Sequence, residues 1–370
     1  LKDNLKKVNS KSKLASEFNL YSRCKEMKKI DLRSDTVTLP TEEMMEAIQN
    51  ANLGDDVYGE DPTVNELEEK AAKKLGMEAA LLVCSGTMGN ICSLVAQTNP
   101  GDEVILEKNS HIFLHEVASA AVIGGLQLRT VPGKNGYLLT PEMLAGEVRG
   151  HDVHYPISSL VTVENTHNMA GGIPWNYSDM QAIIKAAHDH NLKIHIDGAR
   201  IFNAASAIGK PVNKLIKGAD SIMFCLSKGL ACPIGSIVGG SREFITKAHR
   251  VRKMVGGGMR QAGLIAAPGL VALEKMIDRL AEDHKHTQLL KKGLADIKGI
   301  KTRVSPTNIL FIDISGLNIK GTEFKKALAK KNIIVSSRWD TVFRLVTHYG
   351  IEKEDIEYVI ETIHSLYGKK

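Results

Sequence analysis

The sequence predicts an α/β protein: a large domain on a mostly parallel seven-stranded sheet, then a small C-terminal α+β domain. Three observations predict it. Seven short apolar runs recur between residues 79 and 240, and helical stretches separate most of them. Such runs, apolar along nearly their whole length, suit parallel strands covered on both faces. Beyond about residue 256 the pattern changes to a long helical region, then strands with two helices. The length of 370 residues also suits two cores better than one.

The elements follow in order. "TEEMMEAIQNA" is a helix that Thr41 caps. "DPTVNELEEKAAKKLG" is a stronger one, with Asp61 as N-cap, Pro62 at the first helical position and Gly76 at the stop. Val64, Leu67, Ala71 and Leu75 form its apolar stripe. The strands are "AALLVC", "EVILEK", "LQLRTV", "SLVTVEN", "LKIHIDG", "SIMFCLS" and "GSIVGG". The helices between them include "MGNICSLVAQ", "LHEVASAAVI", "PEMLAGEVR" and "YSDMQAIIKAAHDHN". The small domain has the strands "NILFIDIS", "IIVSS" and "VFRLVTH" and the helices "GTEFKKALAKKN" and "KEDIEYVIETIHSLYGK". The expected division is a basic, disordered extension over 1–28, the large domain over 29–275 and the small one over 276–370.

Composition narrows the class. Apolar residues make up 43% and charged residues 24%, as in a soluble globular protein. No apolar run is long enough to span a bilayer. The first 29 residues hold nine Lys or Arg against three Asp or Glu, which accounts for the net charge of +6. The remainder is nearly balanced and carries no nucleic-acid footprint. Five cysteines, none in a C-x-x-C pair, read as reduced, packed thiols of a cytoplasmic protein. A mitochondrial location is the alternative if the tail is a targeting remnant. Met27 is an alternative start. No zinc-binding spacing occurs, and no metal is expected.

Five features stand at the ends of predicted strands, where ligands bind in open α/β sheets. "CSGTMGN" (84–90) opens a helix after a strand. Gly86 and Gly89 allow close backbone approach, and Thr87 with the helix start favours an anion such as phosphate. Many ordinary strand–helix turns share this composition. In "IHIDGAR" (194–200), His195 and Asp197 share one strand face. Asp197 suits a cationic ring nitrogen, or a plain helix cap. Arg200 suits a carboxylate, or solvent.

Lys228, in "SIMFCLSKGLACPIGS", ends an apolar strand. Desolvation there would lower its pKa and free the amine for Schiff-base chemistry. The alternative is a lysine that snorkels to solvent. His111, in "NSHIFLHEVAS", suits ring stacking or acid–base work, or a polar loop. "VENTHNMAGG" (163–172) is a polar cluster closing a buried strand, as at sites or tight turns. Together, an anion-binding turn, a ring-nitrogen aspartate and a Schiff-base lysine are the parts that hold pyridoxal phosphate.

At these residues the chain resembles the low-specificity L-threonine aldolases, pyridoxal-phosphate enzymes of the aspartate-aminotransferase-like fold. The resemblance covers about residues 29–370. Its motifs are "IDLRSDTVTLPT" (30–41), "GDDVYGEDPTV" (54–64), "SGTMGN" (85–90), "ENTHN" (164–168), "HIDGARIFNA" (195–204), "CLSKG" (225–229), "GGGMRQ" (256–261) and "RLVTH" (344–348).

The resemblance implies that Lys228 forms the cofactor aldimine and Asp197 pairs with the pyridine nitrogen. It implies that Gly86, Thr87 and Met88 cradle the phosphate, with Arg260 reaching it from a neighbouring subunit. His111 would stack on the ring. Ser34, Arg200 and Arg344 would hold the substrate carboxylate, His167 would lie near the substrate hydroxyl, and Tyr58 would line the site. A homotetramer of dimers with shared sites is implied. The expected reaction is retro-aldol cleavage of L-threonine or L-allo-threonine to glycine and acetaldehyde. The base is His167 or His111, directly or through a water. The rival readings are a β-eliminating lyase on the same scaffold and a non-catalytic binding protein.

Overall fold

The computed structural model describes residues 28–368. Apart from Lys28, the expected basic extension lies outside the described residues.

The chain enters on β1 (Ile30–Asp31). In α1 (Glu42–Gln49) the Thr41 hydroxyl accepts the Met44 N–H. In α2 (Pro62–Leu75) the Asp61 carboxylate accepts the N–H groups of Thr63 and Val64, and Gly76 ends the helix at φ 69°. Both caps satisfy N–H groups that the first turn leaves without partners.

There follow β2 (Ala79–Val83), α3 (Gly86–Gln97), β3 (Glu103–Glu107), α4 (His111–Leu114), α5 (Ser119–Val122), β4 (Gln127–Val131) and α6 (Pro141–Glu147). Next come β5 (Ser158–Glu164), α7 (Tyr177–Asp189), β6 (Lys193–Asp197), α8 (Ile201–Ile208), α9 (Val212–Leu215), β7 (Ser221–Cys225) and β8 (Ser236–Gly240). All seven apolar runs are strands of one sheet, ordered β2-β8-β7-β6-β5-β3-β4. β8 is antiparallel to both of its neighbours, and the other pairs are parallel.

One expected helix differs. "LHEVASAAVI" is interrupted between α4 and α5, where Val117 and Ala118 adopt φ 55° and 54°. The break turns the Glu116 side chain inward, where it is 2% exposed and bonded to Asn90. A continuous helix period would not favour that carboxylate's burial.

The C-terminal part comprises α10 (Arg242–Met254), α11 (Gly263–Val271), α12 (Ile277–Ala295), β9 (Lys301–Thr302), β10 (Ile309–Asp313), α13 (Gly321–Ala329), β11 (Ile333–Ile334), β12 (Ser336–Ser337), β13 (Val342–Val346) and α14 (Lys353–Tyr367). Four strands form an antiparallel sheet in the order β12-β13-β10-β9. "IIVSS", read as one strand, is divided. Ile333 and Ile334 pair with β1, and Ser336 and Ser337 pair with β13.

Two main cores result. One packs helices against the large sheet around Leu82, Ile105, Val161, Ile196 and Phe224. The other gathers Leu310, Phe324, Phe343, Ile356 and Val359. Burial of such side chains stabilises by roughly 1.5–3 kcal/mol each. Ile30 and Leu32 pack in this second core although some 260 residues separate them from most of its members in sequence. α12 joins both: Leu280 belongs to the first and Leu290 and Leu294 to the second. The N-terminal segment therefore lies against the C-terminal sheet and brings Ser34 and Asp35 to the ends of the parallel strands.

Candidate active site

The parallel strands deliver their last residues to one edge. In register, Glu164 on β5 stands beside Asp197 on β6, and Asp197 stands beside Met223 on β7. Beyond that edge lies a cleft of about 600 Å³, counting its open mouth. Ser34, His111, Asp197, Arg200, Lys228 and Arg344 all line it, with His115, Glu164, Asn168 and Arg338. These sequence-predicted residues come from five separate stretches, and only the fold brings them together.

Lys228 is half-buried three residues beyond β7. Its carbonyl accepts the Thr38 hydroxyl (3.2 Å) and the Ala231 N–H (2.9 Å). Its amine has no hydrogen-bond or ion-pair partner among the described residues. Asp197 is buried. One of its oxygens accepts the Ala199 N–H (3.1 Å) and the other accepts Asn90 Nδ2 (3.0 Å). Asn90 Oδ1 in turn faces His195 Nε2 at 3.1 Å, and His195 Nδ1 meets the Ser221 hydroxyl at 2.8 Å. Burial pushes His195 down to about 4, so the ring is neutral at pH 7. Nε2 then carries the proton toward Asn90, and Asn90 is fixed with its NH₂ toward Asp197.

His111 heads α4. Its backbone N–H donates to Glu164 Oε2 (2.8 Å), and its Nδ1 lies 2.9 Å from Glu116 Oε1. Burial alone would lower its pKa. The Glu116 hydrogen bond and the charges of Asp197 and Glu116 outweigh that and raise it. Glu116 thus fixes Nδ1 as the protonated nitrogen of the neutral ring and leaves Nε2 free.

The cationic wall is built differently from the sequence reading. Arg200 is buried and forms a two-point ion pair with buried Asp35, with Nε–Oδ2 and Nη2–Oδ1 both 2.6 Å. Arg344 donates to Asn168 Oδ1 (2.6 Å) and to the Arg33 carbonyl (3.0 Å), and its Nε has no partner. Burial and the nearby Arg200 and Arg338 guanidiniums hold Arg344 down to about 9. This wall favours an anion. Ser34 Oγ accepts from Thr36 and keeps its own proton to donate.

The start of α3 meets the requirements of a phosphate cradle. Ser85 Oγ takes the Met88 N–H (3.2 Å), while Gly86 and Thr87 sit in the first turn, where N–H groups lack helical acceptors. A Cβ on Gly86 would lie 2.9 Å from Cys225 Sγ, and one on Gly89 2.6 Å from Met223 Cγ, so the helix start rests directly on the sheet. An unpartnered lysine amine, a held carboxylate, a braced imidazole and a helix N-terminus fit pyridoxal phosphate.

A model of the beta-eliminating lyase family matches residues 31–316. The chain belongs to that family. It is a pyridoxal-phosphate-dependent lyase. Among its relatives, low-specificity L-threonine aldolase 1 of Arabidopsis thaliana is 42% identical over 340 residues, covering 90% of this chain and 95% of that protein. The low specificity L-threonine aldolase of Escherichia coli (strain K12) is 38% identical over 331 residues, covering 89% and 97%. A solved Leishmania major threonine aldolase matches with a TM-score of 0.79 at 19% identity, covering 91% of this chain and 99% of that one, and shares the fold.

In this lyase six predicted residues stand outside the cleft lining: Gly86, Thr87 and Met88 at the start of α3, and His167, Tyr58 and Arg260. His167 is fully buried. Its Nε2 faces Glu107 Oε2 at 3.2 Å and its Nδ1 accepts the Ala170 N–H at 3.3 Å. Tyr58 is exposed, and Arg260 lies over its ring while pairing with Asp55 at 2.9 Å. Sequence reasoning did not single out Asp35, Asn90, Glu116 or Arg338. Asp35, Asn90 and Glu116 lie inside quoted stretches, so position near Ser34, Gly89 and His111 was the available signal. Arg338 carried none.

Proposed function

We propose that the protein is an L-threonine aldolase that cleaves L-threonine and L-allo-threonine to glycine and acetaldehyde. The observation that carries this is the single cleft in which Lys228, Asp197, His111 and the arginine wall meet. The named relatives at 38–42% identity support the choice of reaction.

Pyridoxal phosphate, when bound, supplies an electron sink for the pair of the breaking bond. The residues do the rest. Lys228 would hold the cofactor covalently through its unpartnered amine. Asp197, held in place by Asn90 and the Ala199 N–H, would pair with the ring nitrogen. Gly86, Thr87 and Met88 would take the phosphate at the start of α3. Arg344 and Ser34 fix the substrate carboxylate, with Arg200 contributing the guanidinium edge that Asp35 leaves free. That fixation turns the Cα–Cβ bond toward the reactive orientation. His111 Nε2 takes the β-hydroxyl proton, because Glu116 holds the other nitrogen. His167 acts from behind, steadying Glu107 and Glu164.

A homotetramer of dimers is part of this reading, since exposed Tyr58 and Arg260 then complete a neighbour's site. Cytoplasmic residence agrees with the free cysteines Cys84, Cys92, Cys225 and Cys232. Among the described residues no helix is long and apolar enough to cross a membrane.

The second reading, β-elimination, rests on the family's description. Product analysis separates the two. L-Threonine should give equal glycine and acetaldehyde, and ammonia with a keto acid would favour the second.

A further inference from the structure

Arg338 has no place in the reaction derived above, yet it lines the cleft. It stands at the tip of the β12–β13 hairpin. Its N–H donates to the Val342 carbonyl (2.8 Å), which fixes its backbone. Its side chain has no hydrogen-bond or ion-pair partner among the described residues, and its Nε is buried without an acceptor. The residue as a whole is half-buried, and a guanidinium N–H shielded from water without an acceptor is costly.

The charges around the cleft make the vacancy specific. Asp35 is committed to Arg200 at two points. Glu164 accepts the backbone N–H groups of His111 and Asn168. Asp197 accepts Asn90 and Ala199. Two guanidiniums, Arg338 and Arg344, therefore face the cleft with no carboxylate of their own. A threonine molecule brings one. Arg344 is the deeper of the two and is already oriented by Asn168.

The remaining cation, Arg338, lines the cleft together with His111 and His115. Arg338 acts electrostatically on His115, whose ring lies 5.3 Å from that of His111. If His111 faces the β-hydroxyl, the other substituent on Cβ points toward His115 and Arg338. A methyl group there leaves the guanidinium unanswered, whereas a carboxylate answers it.

We propose that the cleft also accepts β-hydroxy-α-amino acids bearing a second, distal carboxylate, the β-hydroxyaspartate class, with Arg338 binding that carboxylate. This rests on the aldolase reading. The step balances without an oxidant or reductant. The β-hydroxyl proton goes to the base and the Cα–Cβ bond breaks. Its electron pair stays with Cα, which then takes a proton. One glycine and one glyoxylate result.

The test uses purified holoenzyme and the Arg338→Met and Arg338→Lys variants. Glyoxylate release from both β-configurations of L-β-hydroxyaspartate is compared with acetaldehyde release from L-threonine. Binding of L-aspartate and L-alanine is compared by calorimetry. The wild type should cleave β-hydroxyaspartate and bind L-aspartate in preference to L-alanine. Arg338→Met should lower the β-hydroxyaspartate-to-threonine ratio of kcat/KM by about tenfold or more, as loss of a charge-assisted contact requires, and Arg338→Lys should restore part of it. The aspartate preference should shrink in parallel.

A wild type that cleaves L-threonine but not β-hydroxyaspartate overturns the proposal. So does an equal loss on both substrates, which would assign Arg338 to the common carboxylate clamp. A wild type inactive on L-threonine overturns the aldolase reading itself. In that case the aspartate-over-alanine preference and its loss in Arg338→Met still decide Arg338, and no preference overturns it.

Discussion

Arg200 is held by Asp35 along one edge of its guanidinium: both residues are buried, and their two contacts are each 2.6 Å long. Asp35 reaches this position because β1 pairs with β11 of the C-terminal part and carries the following turn under the cleft. Arg200, Lys228 and Arg344 hold its carboxyl well below the usual range, against the opposing effect of burial. Its contribution to stability is therefore fully present above roughly pH 4 and is lost as pH falls further, toward the depressed folded-state value. Asp35→Asn leaves Arg200 buried and uncompensated. Chemical denaturation should show a loss of about 3–5 kcal/mol at pH 7.

Glu116 raises the pKa of His111 and fixes its tautomer. Glu116→Gln removes that negative charge. The base must be neutral to act, so the acid limb of kcat/KM should move to lower pH, with a reduced plateau from the loosened ring. A rate profile between pH 5 and 9 measures this. An unmoved limb would separate His111 from the proton transfer.

Asn90 serves Asp197, Glu116 and His195 at once. Asn90→Ala leaves these buried groups without their partner, at roughly 1–3 kcal/mol for each. Cofactor affinity, read by absorbance titration of the apoenzyme with pyridoxal phosphate, should weaken by about tenfold or more. Asn90→Asp should not rescue it, because a second carboxylate would face Asp197.

Gly89 lets α3 lie on β7. An alanine methyl would meet Met223 Cγ at 2.6 Å, and Val238 Cγ2 at 3.3 Å. Gly89→Ala should destabilise by about 1–3 kcal/mol through overpacking. Because the shift lifts the helix start, weaker binding of inorganic phosphate by the apoenzyme should accompany the lower Tm.

The fold was legible where a local pattern decided it. The seven apolar runs became the seven strands, and Thr41, Asp61 and Gly76 cap as their residue types require. It was not legible where partners lie far apart in sequence. Nothing in Ile30–Asp31 signals a partner some 300 residues away at Ile333–Ile334. The same limit held for the site. Strand ends pointed to Asp197 and Lys228, because a strand's terminus is a local feature. The environment of His167 depends on Glu107 from another strand, and that contact buries it. Arg200 read as free because Asp35 is 165 positions away. Glu116 entered the site through a helix break that periodicity does not announce.

The central claim is that Lys228 carries the cofactor in a C–C bond-cleaving site, and one measurement tests it most directly. Wild type and Lys228→Ala are each incubated with pyridoxal phosphate and L-threonine, and glycine, acetaldehyde, ammonia and keto acid are quantified. The account predicts glycine and acetaldehyde in equal amounts from the wild type, and turnover lowered by several orders of magnitude in the variant. Near-normal turnover in Lys228→Ala, or ammonia and keto acid as the wild-type products, would contradict it.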